Sequence, residues 1–271
     1  MIDETSTKAE VLEAVSQNGR SLEFKSEELR ADKEVVLAAV KENGWGALQH
    51  ASGELRGDRD VVMAAVTQDG VALRFASYEL KGDREVVLAA VRKDGSALQY
   101  ASDELAGDIE VVMEAVKQWG HALRFASDEL KNYKKVVMAA VRANGYALQW
   151  VREVFCNDKE VVIAAVKDAG NALEYASEAL KSDREVVMEA LKQDGYALRC
   201  ASEALRGDKE VVLAAVKTYG MALDYASEAL RNDREVVIAA AMNYAPSLQY
   251  VHESLRYDKE IIDYAIGLKN D

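Results

Sequence analysis

A 25-residue phrase recurs along nearly the whole chain, and it leaves little freedom in what such a chain can fold into. Its clearest copy is Asp83–Gly107, DREVVLAAVRKDGSALQYASDELAG. One column of the alignment of copies is aspartate: Asp32, Asp58, Asp83, Asp108, Asp158, Asp183, Asp208, Asp233 and Asp258. An extra residue separates Asp32 from Asp58, placed at Trp45–Gly46. A second column is glycine: Gly19, Gly44, Gly70, Gly95, Gly120, Gly145, Gly170, Gly195 and Gly220. A third holds Gly57, Gly82, Gly107, Asn132, Asn157, Gly207 and Asn232. Three columns in phase mean a stack of small units, none able to bury its apolar face alone.

Within the unit, Asp83 stands before the apolar run Val86 to Val91, where a carboxylate caps a helix start. Glu85 in the first turn and Lys93 in the last suit the helix dipole. Gly95 then ends the helix, read as a left-handed C′ residue. The expected first helix is therefore Arg84–Asp94. Ala97, Leu98, Ala101, Ser102 and Leu105 share one face of a second helix, and Gly107 reads as its left-handed end. The unit is helix, turn, helix, turn. The expected fold is all-α, a right-handed α-solenoid of about ten 25-residue repeats plus a terminal capping helix, the hand taken by analogy with other helical-pair arrays.

The array is expected to run as one domain over residues 1–271, with no linker or charge block to divide it. An N-terminal capping repeat covers 7–31, opened by a Thr7–Glu10 capping box. The segment 258–271 is a lone capping helix. Glu10, Lys25, Asp263 and Tyr264 replace apolar or small residues at the two ends, as an array facing water requires. The repeat 133–157 is irregular: Tyr133 takes the aspartate position, and Trp150, Val151, Arg152 and Phe155 replace the usual residues. Pro246, the only proline, falls at a helix start, where it is tolerated.

The net charge is −13, and basic residues alternate with acids. A phosphate-tracking basic stripe is missing, which argues against nucleic acid and against an anionic membrane surface. No apolar run is long enough to span a bilayer. The acidic, polar N-terminus MIDETSTKAE is unlike a secretory signal. The two cysteines, Cys156 and Cys200, sit in different columns and read as unpaired thiols in a reducing, cytoplasmic setting.

The phrase D-R/K-E-V-V-L-A-A-V-x-x-x-G-x-A-L-x-Y-A-S-x-E/A-L, clearest at Asp83–Leu105 and Asp158–Leu180, resembles a tandem-repeat family known as a domain of unknown function. Its relatives are widespread in protists and algae, with some in large viruses and intracellular bacteria. The resemblance covers nearly the whole chain. It implies a helical array and brings no activity, cofactor or catalytic residue.

The residues themselves announce no chemistry. The serine column (Ser26, Ser52, Ser77, Ser102, Ser127, Ser177, Ser202, Ser227) reads as small hydroxyls bonding a carbonyl one turn back. The aromatic column from Phe24 to Tyr250 reads as packing between units. His50, His121 and His252 fall in three columns, so no metal site is expected. No catalytic residue, cofactor or small-molecule substrate is expected either. The exception to this blandness is the irregular middle. Trp119, Tyr133, Lys134, Lys135, Tyr146, Trp150 and Arg152 are the residue types that anchor interfaces, and they form the candidate partner-binding patch. The function expected is a non-enzymatic protein-interaction scaffold. The alternative is a structural subunit built permanently into a larger assembly, which a large exposed apolar patch would favour.

Overall fold

The structure is a computed structural model that describes residues 7–267. Among them, ten helices of ten residues recur, beginning with Lys8–Gln17 and Lys33–Glu42 and ending with Arg234–Asn243; the shorter helix Lys259–Ala265 follows. No described residue is in a strand. The chain forms two compact units, Met1–Ala143 and Asn144–Asp271. The first six residues of the N-terminal reading, and residues 268–271 of the expected capping helix, lie outside the described residues.

The aspartates cap as expected. Oδ1 of Asp83 accepts from the Glu85 and Val86 N–H groups at 3.0 and 3.1 Å, and Asp58, Asp158, Asp183, Asp208 and Asp233 repeat the arrangement. The Thr7–Glu10 capping box is also present. Helix ends leave orphan donors, and these carboxylates satisfy them. Val86, Val87, Ala90 and Val91 then bury one side of the helix, with Ala97, Leu98 and Leu105 closing the core of the same repeat.

The second half of the repeat is not one helix. It is a 3₁₀ segment, Gly95–Tyr100, then a four-residue α-helix, Asp103–Ala106, with Ala101 and Ser102 extended between them. The reason lies in local capping. Asp94 accepts from the Ser96 N–H at 2.8 Å and starts the first piece. Ser102 accepts from the Leu105 N–H at 3.4 Å and starts the second. The serine column, Ser202 excepted, therefore caps helix N-termini instead of bonding carbonyls one turn back, as Ser77, Ser127, Ser177 and Ser227 also show. The extended serines also join repeats. The N–H groups of Ser77 and Ser102 donate to Arg56 and Lys81 carbonyls of the preceding repeat at 2.8 and 2.9 Å, and in the second unit Ser202 and Ser227 donate to Lys181 and Arg206 at 3.0 and 2.9 Å.

The glycine columns also differ from expectation. Gly267 is the only described residue with positive φ, so neither column marks a left-handed helix end. Gly82 and Gly107 have φ near −99°. The first column instead marks a close approach: a β-carbon on Gly95, Gly170 or Gly220 would run into the carbonyl oxygen of Ala115, Ala190 or Ala240 in the next repeat.

The extra residue at Trp45–Gly46 is absorbed by a change of winding. Here the segment Gly44–His50 is α-helical over seven residues, where other repeats have a six-residue 3₁₀ segment. Seven residues at 3.6 per turn and six at 3.0 per turn both make about two turns, so the chain leaves the segment in phase.

Candidate interaction surface

Consecutive long helices within a unit pack side by side and run parallel: the end of one lies beside the end of the next, as Gly95 beside Gln118 and Trp119 shows, and a ladder of ion pairs joins most of their first turns. In the first unit the Lys33 ammonium donates to Asp58 Oδ2 at 2.7 Å and to Asp60 at 2.9 Å. Lys8 meets Asp32 and Glu34, Arg59 meets Asp83 and Glu85, and Arg84 meets Asp108 and Glu110. In the second unit Lys159 meets Asp183 and Glu185, Arg184 meets Asp208 and Glu210, Lys209 meets Asp233 and Glu235, and Arg234 meets Asp258 and Glu260. Each aspartate thus serves twice, one oxygen on its own helix start and the other on its neighbour's cation. The hydrogen bond from the basic partner holds the carboxyls of Asp58, Asp108 and Asp183 below the usual aspartate range.

The ladder breaks once within the first unit. Where the pattern calls for a base, an aspartate and a glutamate, the chain has Ile109, Tyr133 and Lys135. All three positions of the trio change together, and Lys135 puts a cation where the other repeats have an acid. Ile109 is 44% and Tyr133 45% exposed, and Lys135 is exposed.

The structure distributes the sequence-predicted patch over several places. Trp119, Tyr133, Lys134 and Lys135 belong to the first unit, and Tyr146, Trp150 and Arg152 to the second. Tyr133 precedes the start of helix Lys134–Ala143, whereas Trp119 caps the end of helix Ile109–Gln118. With parallel helices, these two residues stand at opposite ends of a layer about 15 Å deep. Trp119 is half-buried, stacked on His121 with ring centroids 5.5 Å apart and covered by the Arg124 guanidinium. Tyr146 and Arg152 are exposed, and Trp150 is half-buried. Two rings of the aromatic column pack against the neighbouring repeat, Phe75 on Trp45 at 5.6 Å and Tyr225 on Tyr196 at 5.6 Å, whereas Phe24 at the start of the column is exposed.

A surface that the column reading passed over lies on the outer side of the long helices. Positions such as Glu85, Leu88, Ala89 and Arg92 share one helical face. In the second unit this places a row of half-buried Ile163, Met188, Leu213 and Ile238 between the ladder and a row of exposed Lys167, Lys192 and Lys217. In the last ten-residue helix Met242, 47% exposed, replaces the cation of that row. Tyr264 follows where other repeats have alanine or glutamate. Together they shape a groove of about 730 Å3 over Leu213 and Ile238. The signal was legible in the spacing, but the apolar run reads as core until burial separates the two sides of the helix.

Both cysteines are free thiols, and burial pushes their acidity down, raising each pKa above the ordinary thiol value. Among the described residues no group of three or more histidine, cysteine, aspartate or glutamate side chains is placed to hold a metal. Nor is any described helix long and apolar enough to cross a membrane.

No curated protein and no solved structure matches the chain. A family profile described as Domain of unknown function (DUF4116) matches eight stretches, 11–56, 32–81, 58–106, 83–131, 108–156, 133–179, 158–206 and 208–256, all but the last overlapping the one before. These cover far more than half of the sequence and follow the 25-residue phase of the aspartate column, so the chain belongs to the DUF4116 family as a tandem array of its helical repeat.

Proposed function

We propose that the chain is a non-enzymatic protein-interaction scaffold, a right-handed α-solenoid of ten repeats closed by a terminal helix and working in the cytoplasm. The observation that supports a binding role is the concerted break in the ladder. Three positions that elsewhere hold an ion-paired trio carry Ile109, Tyr133 and Lys135. Exposed pairs of the ordinary kind add little energy or specificity to an interface. An exposed tyrosine beside an isoleucine and a lysine is the composition of an interface anchor. The local positive charge would steer an acidic partner segment to this place on an acidic protein.

The test restores the pattern. A chain carrying Ile109→Arg, Tyr133→Asp and Lys135→Glu regains the base, the cap and the acid of a regular repeat. Affinity capture from native cell extract is run with parent and variant. Partners that bind the parent and are lost from the variant place the anchor at the break. Identical capture by the two chains removes the patch from the proposal.

A further inference from the structure

Two of the residues lining the groove on the second unit depart from the pattern of that helical face. Met242 stands where Lys167, Lys192 and Lys217 stand in the preceding repeats, and Tyr264 stands where Ala164, Ala214 and Ala239 stand. Both changes add apolar bulk around Leu213 and Ile238, and together they make a cavity in the size range of ligand sites. A flexible, exposed methionine is a side chain suited to covering an apolar guest.

The charges around it are sorted. On one side runs the ladder, where Lys209 faces Asp233 and Glu235, and Arg234 faces Asp258 and Glu260. That wall carries two carboxylates for each cation. On the other side Glu189 holds Lys192 at 2.7 Å and is also within the field of Lys167, while Lys217 has no ion-pair partner among the described residues. The apolar floor therefore lies between an acid-rich wall and a basic one. It also continues past the groove through Met188 and Ile163, so the guest is elongated.

The width selects its form. From Glu235 on one wall to Met242 on the other is seven residues of one helix, about 10 Å at 1.5 Å per residue. That equals the diameter of an α-helix with its side chains, about 10–12 Å. A single extended strand, about 5 Å across, would leave one wall untouched. Neighbouring long helices packed about 8–10 Å apart would meet such a guest roughly every six residues of its length.

We infer that this groove seats an amphipathic α-helix of a partner protein, apolar face down, with acidic residues along the flank that meets Lys192 and Lys217 and basic residues along the flank that meets the ladder. The inference rests on the scaffold reading and gives its partner a chemistry at a place separate from the ladder break.

The probe is a synthetic, helix-stabilised peptide of about 20 residues, long enough to hold a helix in water. It carries leucine on one face, glutamate on one flank and lysine on the other. Binding to the full chain is followed by fluorescence anisotropy and by the methyl resonances of 13C-methyl-methionine protein. The expected result is saturable binding that shifts Met188 and Met242 and leaves Met63 and Met113 in place. A peptide of the same composition with its leucines scattered around the helix should not bind. A peptide with lysine on both flanks should bind about tenfold more weakly, as should the parent peptide to Lys217→Glu or Met242→Lys protein. Both substitutions are at exposed positions and spare the fold, which circular dichroism checks. Binding that leaves the Met242 resonance unmoved, affinity in both variants equal to that of the unsubstituted protein, or occupancy by a long-chain carboxylate but not by the peptide overturns the inference. If the Met242→Lys chain still captures the parent's partners from extract, the scaffold reading stands and the groove alone is lost.

Discussion

Gly170 lies against Ala190 of the following repeat so closely that a β-carbon built on it would stand 2.5 Å from the Ala190 carbonyl oxygen. The φ of Gly170 is not in the left-handed region. The glycine is required by a neighbour and not by its own backbone angles.

This separates two glycine columns that look alike in sequence. Gly170→Ala should destabilise by about 1–3 kcal/mol, the range for forcing extra carbon into a packed site, because the obstructing atom is backbone. Gly57→Ala should stabilise by about 0.4–1 kcal/mol through the unfolded chain, since its nearest neighbours are Ser77 atoms at 3.8 Å. Chemical denaturation of both variants checks this. Equal effects of one sign would mean that the close approach does not govern the first column.

The ladder predicts an acid limb. The carboxyls of Asp58, Asp108 and Asp183 are held below the usual aspartate range by hydrogen bonds from Lys33, Arg84 and Lys159. Groups with a lowered folded pKa contribute stability above their unfolded value, about 3.9, and lose it as pH falls through the folded one. The melting temperature should therefore be level near neutrality and fall below about pH 4. Asn caps as well as Asp, so Asp108→Asn removes mainly the charge facing Arg84. Its melting temperature should lie below the parent's at pH 7 and converge with it at low pH. A gap that persists undiminished in acid would show that the Arg84 pairing is not its source.

Tyr133→Asp should raise stability by about 1 kcal/mol, the worth of a helix cap, because helix Lys134–Ala143 begins where the other repeats have their capping aspartate. Urea denaturation decides it. A variant less stable than the parent would mean that Tyr133 contributes more by packing than an aspartate does by capping.

Cys156 and Cys200 are half-buried thiols whose pKa values burial raises. Reaction with a thiol-exchange reagent near pH 8 should be much slower in the folded protein than in denaturant, since the thiolate is the reacting form. Rates that match between the two states would contradict this protection.

The sequence by itself determined the repeat, its phase and its helical class. Asp83 before Val86 and Val87 caps a helix whatever surrounds it, because the hydrogen bonds involved span two or three residues. The Thr7–Glu10 box was legible for the same reason. Membership of the family followed from the same phrase. What only the tertiary structure decided is everything set by contact with the next repeat. Gly95 read as a left-handed helix end from its position, but the carbonyl of Ala115 was the cause, and no local rule contains it. The stretch Ala97–Leu105 read as one helix because its apolar spacing fits one. The caps by Asp94 and Ser102, together with the bond from the Ser102 N–H to the Lys81 carbonyl one repeat earlier, divide it. The candidate patch was chosen by residue type along the chain. Parallel packing then put Trp119 and Tyr133 at opposite ends of the helical layer, while Ile109, unremarked in sequence, came to share its ladder position with Tyr133. Residues 24 apart become neighbours only once the stack has formed, and the partner of each position is then set by the repeat translation.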